Sequence, residues 1–270
     1  MWRFKYIFSK IYLFLKKFLK KENFEIFLIK KILKKKNLVI DIGGNIGQKS
    51  DLILKIFPKS KIYIFEPFPN YYKFLIKKYK KNNNIHISSL GIGDNDEKKN
   101  LFYTGEKKNS EAFSFKKMNY LNKKIKCRIK PLDKIIPKLN PNLIKIDVEQ
   151  YELKALNGAF NIIKRSRPYI LLETTQKFLK KIEIFFNNID YKIFAYEYYI
   201  FKDNKHVFID PIKSWRKINL IKSNIYEKKL FNTKSFYNIK SYLLNIFALP
   251  KENISTIIDK NKLTINKINF

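Results

Sequence analysis

The stretch Leu38-Val39-Ile40-Asp41-Ile42-Gly43-Gly44-Asn45-Ile46-Gly47 carries an apolar run into an acidic residue and then places three glycines within five positions. Such a run predicts a buried parallel strand, and the glycines predict a tight turn whose backbone can approach a ligand closely. The whole chain holds 7 glycines in 270 residues, so three in one turn signal a need for unusual backbone geometry or close contact. Gln48 to Phe57 then resumes with helical spacing. Strand, glycine turn and helix in that order predict the opening of a nucleotide-type site in an α/β sheet.

Working outward, Lys61 to Phe65 reads as a second strand, closed by Glu66 and the helix-stopping Pro67. Glu66 stands nineteen positions after Gly47, a spacing that suits a carboxylate at the tip of the neighbouring strand accepting from both ribose hydroxyls of an adenosine ligand. A helix over Asn70 to Lys81 and a strand over Ile85 to Leu90 follow, the latter ending in Gly91-Ile92-Gly93-Asp94. Residues 95–130 break this rhythm with short β-like pieces, which predicts an inserted hairpin region near the ligand mouth. The rhythm returns with the strand Asn142 to Glu149, a helix over Tyr151 to Lys164, the strand Tyr169 to Glu173 and a helix over Gln176 to Asn187. Closing strands are expected at Tyr191 to Phe201, His206 to Ile209 and Tyr242 to Leu249, with a lysine- and asparagine-rich insertion at 210–240 and a loosely held tail over 251–270.

Upstream, residues 1–21 carry seven basic residues and no acidic one. At about 100° per residue, Phe4, Ile7, Phe8, Ile11, Phe14, Leu15, Phe18 and Leu19 share one face, with six lysines opposite. This is a basic amphipathic helix that either lies on an anionic bilayer or packs on the catalytic domain, and its lysines are too frequent for a span or a secretion signal. A second helical stretch, Phe24 to Leu33, completes an extension over 1–37.

The bulk properties restrict the choice of function. At 32.6 kDa the chain can bury a full α/β core without staples. The single cysteine, Cys127, and the two histidines, His86 and His206, exclude an internal disulfide and a zinc cluster and fit a reducing cytoplasm. A formal charge of +34 points toward nucleic acid or an anionic membrane. Yet the 57 basic residues include five arginines against 52 lysines, and arginine is the better phosphate fork. The lysine, asparagine and isoleucine excess reads as codon preference written over exposed positions, and nucleic acid is not the expected partner.

Asp41-Ile42-Gly43-Gly44-Asn45-Ile46-Gly47, Phe65-Glu66-Pro67, Leu132-Asp133, Ile144-Lys145-Ile146-Asp147-Val148-Glu149 with Glu152, Leu156-Asn157-Gly158-Ala159 and Leu171-Leu172-Glu173 stand in the order seen in FkbM-family methyltransferases, which the chain resembles over 38–250. The resemblance implies a Rossmann-like, doubly wound, mostly parallel sheet of the class I methyltransferase type and S-adenosylmethionine as cofactor. It implies a cofactor site at Asp41, Gly43, Gly44, Asn45, Gly47, Glu66 and Pro67, with Gly91 and Asp94 flanking the adenine. The family often has Gly where this chain has Gln150 and Ala where it has Gly44; the second change is neutral for a tight turn.

Asp147 and Glu149 are two apart at a strand end and can face the same side, and Glu173 ends the strand expected beside them. Such acids need a cation, a proton or a hydrogen-bonding partner. One can act as general base toward an acceptor hydroxyl, or Asp147 and Glu149 can hold Mg²⁺ or Mn²⁺ that polarises the acceptor oxygen. Lys145 is an alternative neutralising group, and capping of the following helix is the structural alternative for all three acids. The resemblance implies O-methylation of a sugar, glycolipid or related metabolite, a step of polysaccharide biosynthesis that suits a peripheral position at the inner membrane face. A nicotinamide dehydrogenase is disfavoured because Gly43, Gly44 and Gly47 do not make G-x-G-x-x-G. The remaining alternatives are a nucleic-acid-directed methyltransferase, disfavoured because the strand holding Asp147 lacks the Pro-Pro-aromatic tetrad of base-amino methylators, and a non-catalytic membrane-associated protein retaining the fold.

Overall fold

The computed structural model describes residues 24–34, 36–104, 113–117, 121–201, 220–222, 229–232, 234, 241–259 and 264–266. The expected basic helix over 1–21, the strand expected at His206 to Ile209 and most of the expected insertion at 210–240 lie outside the described residues.

Residue periodicity and element type agree along the first half. Helix α1 (Phe24–Ile32) precedes β1 (Leu38–Ile42), α2 (Gln48–Ile56), β2 (Lys61–Phe65), α3 (Pro69–Lys78) and β3 (Ile85–Ser88). A second group follows: β4 (Gly91–Ile92), β5 (Glu97–Tyr103), β6 (Phe113–Ser114), β7 (Lys123–Lys130) and the short α4 (Leu132–Ile135). The chain then runs through β8 (Leu143–Ile146), α5 (Glu152–Gly158), α6 (Phe160–Ser166), β9 (Tyr169–Thr174), α7 (Gln176–Asn187), β10 (Tyr191–Phe201), β11 (Leu220–Lys222), β12 (Lys229–Asn232), β13 (Ser241–Pro250) and β14 (Thr264–Asn266).

The larger sheet has the order β14-β12-β10-β13-β9-β8-β1-β2-β3, with β11 beside β10. Strands β3, β2, β1, β8 and β9 are mutually parallel; β13 runs antiparallel between β9 and β10, and β11 and β12 pair antiparallel with β10. This is the doubly wound, mostly parallel sheet that the sequence predicts. The chain winds one way from β1 to β2 and β3 and the other way through β8 and β9, so the switch point lies between β1 and β8. Both faces are covered, which is why β1 and β8 are apolar apart from the paired Asp41 and Lys145. One face holds Ile40, Ile144 and Ile170 against α5, α6 and α7; the other holds Val39, Ile62 and Leu143 against α1, α2 and α3. Leu28 and Ile29 of α1 are fully buried there, so this helix packs as part of the core. Among the described residues no helix is long and apolar enough to cross a membrane.

Two expectations are corrected. The single helix expected over Tyr151 to Lys164 is two helices, α5 and α6, broken at Gly158-Ala159. A Cβ on Gly158 would lie 1.9 Å from the Gly93 carbonyl oxygen, so the break brings two backbones into contact that no side chain would permit. The Asp133 carboxylate then caps α6 from a distance, accepting the amides of Asn161 and Ile162 at 2.9 Å each. The tail is also partly packed: Ile257 and Ile258 are buried in the same cluster as α1.

The described parts of 95–130 form the expected hairpins: β5, β6 and β7 join β4 in a four-stranded sheet of order β4-β7-β5-β6.

Candidate active site

The glycine turn hangs from the end of β2. The amides of Gly43 and Gly44 both donate to the Phe65 carbonyl, at 2.9 and 3.2 Å. Gly43 has φ +77° and a Cβ there would fall 2.0 Å from the Asp147 carbonyl oxygen, so the turn packs directly on the strand end carrying the acids. Gly47, at φ +81°, opens α2. Gly44 is a glycine for a different reason: a Cβ would meet Ile64 Cγ2 at 2.2 Å, so alanine here is not the neutral change expected from the sequence.

Glu66 closes the turn. Its Oε2 accepts the Asn45 amide at 2.7 Å and its Oε1 accepts the Phe68 amide at 2.9 Å. Burial pushes the carboxyl up to about 7, against the opposing pull of those two amides. The residue still lines a cavity with Gly43, Asn45 and Pro67, so each oxygen retains acceptor capacity toward a ligand.

The same cavity is floored by Asp147, Glu149 and Glu173. One carboxylate oxygen from each lies within 4.8 Å of the others, so the structure brings the three expected acids together. Desolvation first, and the Asp147 charge second, push Glu149 up to about 7. Desolvation and the charges of Asp147 and Glu149 push Glu173 up to about 8. The loop that presents Glu149 has two consecutive non-glycine residues with positive φ, Glu149 at 47° and Gln150 at 70°. It is held by Glu152, whose Oε1 accepts the Gln150 amide at 2.8 Å, and by Ser114, whose hydroxyl donates to the Glu149 carbonyl at 2.7 Å.

An apolar wall faces these acids. Tyr71, Leu101, Phe113 and Phe115 line the cavity, with the Phe113 ring 5.2 Å from Tyr71 and 4.5 Å from Phe68 behind it. None of these wall residues is anticipated individually from the sequence. The one local signal is the alternation Phe113-Ser114-Phe115, which on a strand sends both rings to one side.

Not every anticipated residue reaches the cavity. Asp41 is buried beneath it, accepting the Ser50 hydroxyl at 2.7 Å, and Gly44 and Gly47 shape the turn from behind. Gly91 and Asp94, expected to flank an adenine, do not line this cavity. Gly91 packs on Phe115 and Ile129 because it pairs in the smaller sheet, and Asp94 is drawn outward to Lys154 at 2.6 Å. His86 stacks on Tyr63 at 4.6 Å, far from the acids in the topology, and Cys127 is buried with its thiol on the Pro67 carbonyl at 3.3 Å. Burial pushes that thiol up to about 11, which leaves it unreactive.

A family profile described as the Methyltransferase FkbM domain matches residues 41–200. No curated protein matches the chain. Among solved structures, the chain is similar to a methyltransferase FkbM from Methylobacillus flagellatus KT, with 20% identity and a TM-score of 0.43 over 60% of this chain and 40% of that one. The chain thus spans well under half the length of that protein. It is similar also to a precorrin-6y C5,15-methyltransferase from Geobacter metallireducens GS-15, with 14% identity and a TM-score of 0.44 over 83% of this chain and 84% of that one. A third similarity is to P. horikoshii TYW2 in complex with MeSAdo, with 12% identity and a TM-score of 0.40 over 82% and 61% of the two chains.

Proposed function

The chain belongs to the FkbM methyltransferase domain family, and on that premise we propose that it transfers a methyl group from S-adenosylmethionine to a hydroxyl of a sugar, glycolipid or related metabolite. The observation that carries this reading is the placement of Glu66, the Gly43 turn and three carboxylates around one cavity. Glu66, Asn45, Gly43 and Pro67 would hold the cofactor. The carboxylate offers acceptor lone pairs to vicinal hydroxyls, and the turn offers backbone unobstructed by a Cβ, so the residues present suit the group. When bound, S-adenosylmethionine supplies an electrophilic methyl group.

The chain's own residues then have three tasks. Tyr71, Leu101, Phe113 and Phe115 exclude water from one side of the cavity and give the acceptor a flat apolar surface. Asp147, Glu149 and Glu173 face the acceptor, and a carboxylate among them removes the hydroxyl proton; Glu149 and Glu173, at about 7 and about 8, are matched to proton transfer near neutral pH. Oxygens within 4.8 Å of one another also suit a hard divalent cation, and the all-oxygen set favours Mg²⁺ or Mn²⁺. Held there, the ion would polarise the acceptor oxygen.

Calorimetry with S-adenosylmethionine and its demethylated product, followed by a cofactor-consumption screen against sugar nucleotides and glycolipids, tests the proposal. Binding of both cofactor forms and turnover of a hydroxylated acceptor are expected. Absence of cofactor binding, or tight binding of NAD instead, would overturn it.

A further inference from the structure

Lys145 is a charged residue inside a strand that is otherwise sealed: Leu143, Ile144 and Ile146 are 0% exposed and Lys145 itself only 6%. Taking an ammonium out of water carries a penalty that its surroundings must offset. Directly across the parallel β1–β8 pair its register partner is Asp41, and Nζ lies 3.1 Å from Asp41 Oδ1. A buried pair of this kind is weak evidence of a gain in stability, because well-packed apolar residues often serve equally well.

The rest of the ammonium's surroundings are more informative. Nζ donates to the Gly43 carbonyl at 2.6 Å and lies 3.6 Å from Asp147 Oδ2. One side chain therefore touches the strand that opens the site, the carbonyl of the glycine turn and the first of the three floor acids. Asp41 extends the connection to the first turn of α2 through the Ser50 hydroxyl. A counter-ion serving Asp41 alone would have no reason to reach two further groups on either side of the switch point.

We infer that Lys145 is a positioning residue: it fixes the Gly43 carbonyl under the glycine turn and holds Asp147 at the cavity floor, locking the cofactor turn and the acid loop into one geometry. The inference rests on the methyltransferase reading above. It acts through Gly43 and Asp147, and Lys145 does not line the cavity.

The full-length chain and two variants, Lys145→Met and the double variant Asp41→Asn with Lys145→Met, are compared by thermal melting and by calorimetry with S-adenosylmethionine. Lys145→Met leaves a buried carboxylate unpaired and should lower both the melting temperature and the affinity, the latter about tenfold or more. The double variant removes the orphan charge and should recover most of the melting temperature while its affinity stays at the reduced level. Affinity restored to the wild-type value in the double variant, unchanged affinity in Lys145→Met, or melting and affinity falling together in both variants would make Lys145 merely structural and overturn the inference. Failure of both variants to fold would do the same. No binding by the wild type is a different result, which overturns the methyltransferase reading and the inference with it.

Discussion

The Asn45 amide donates to Glu66 Oε2 at 2.7 Å, and this bond ties the glycine turn to the residue that follows β2. Glu66 therefore does two things at once: it shapes the turn and presents a carboxylate to the cavity. Ligand hydroxyls that donate to it favour its ionised form, whereas burial pushes it up to about 7. Cofactor affinity should then fall as pH drops below about 7, by at most about tenfold per pH unit, and be flat above about 8. Glu66→Gln should remove the pH dependence, and Glu66→Ala should weaken binding by about 1.5 to 3 kcal/mol. Calorimetry at three pH values separates these outcomes.

Stability of the unliganded protein should depend on pH in the opposite sense to that of a salt-bridged carboxylate. Glu173, pushed up to about 8 by burial and by the charges of Asp147 and Glu149, holds a proton in the folded protein at pH values where the unfolded chain has released it. The folded state binds more protons between about 4.5 and about 8, so stability declines as pH climbs through that window and levels off above it. Glu173→Gln should flatten the profile of melting temperature against pH. If the three acids hold a divalent cation, added Mg²⁺ or Mn²⁺ should raise the melting temperature most at the alkaline end.

Binding and chemistry should separate at the floor acids. Loss of the general base, in Asp147→Asn, Glu149→Gln or Glu173→Gln, should cut turnover by about a hundredfold or more and leave cofactor affinity nearly intact. A metal-assisted reaction would in addition stop on chelation and resume on adding Mg²⁺ or Mn²⁺. Full turnover by all three variants on an identified acceptor would reduce these residues to structural acids.

Two backbone positions give contrasting stability predictions. Gln150 holds φ 70°, a conformation that glycine adopts without a Cβ penalty, so Gln150→Gly should stabilise the fold by about 0.5 to 1 kcal/mol. Gly44→Ala should destabilise it, because the new methyl meets Ile64 Cγ2 at 2.2 Å inside a packed core. Urea titrations of both variants measure the sign directly.

Residues 1–21 lie outside the described part of the chain, and their role is proposed from the sequence alone: attachment to an anionic membrane through opposed apolar and lysine faces. Each lysine near such a surface adds about 1 kcal/mol. Flotation with anionic vesicles should show binding that weakens with salt and vanishes when 1–21 are deleted; equal flotation of the deleted form would end the proposal.

The sequence made legible what depends on near neighbours. Strand, turn and helix around Gly43 could be read because apolar runs and glycines act within a few residues, and Glu66 because its distance from the turn is a property of one β-α-β unit. Glu173 was legible as lying at the end of its strand, but Asp147 and Glu149 were expected on a strand that in fact stops at Ile146, and the positive-φ loop that presents Glu149 had no signal in the alternation of residues. The position of Gly91 and Asp94 was not, since it depends on β4 leaving the main sheet to pair with β7, a contact made across more than thirty residues. Nor was the role of Asp133, which caps a helix nearly thirty residues away. The aromatic wall was hidden for the same reason: Tyr71 and Phe113 belong to separate elements, and only the folded hairpin brings them together.

Strand β13 reaches the sheet last in sequence order among β9, β10 and itself, yet it sits between the other two. While the protein is being made, β9 emerges with one edge open and β10 emerges with no neighbour in that sheet to join it to β9. Both wait until Ser241 to Pro250 has left the ribosome. The nascent domain therefore carries two unsatisfied strand edges through the synthesis of some forty residues, and a chain cut short before that strand has no way to close its own sheet.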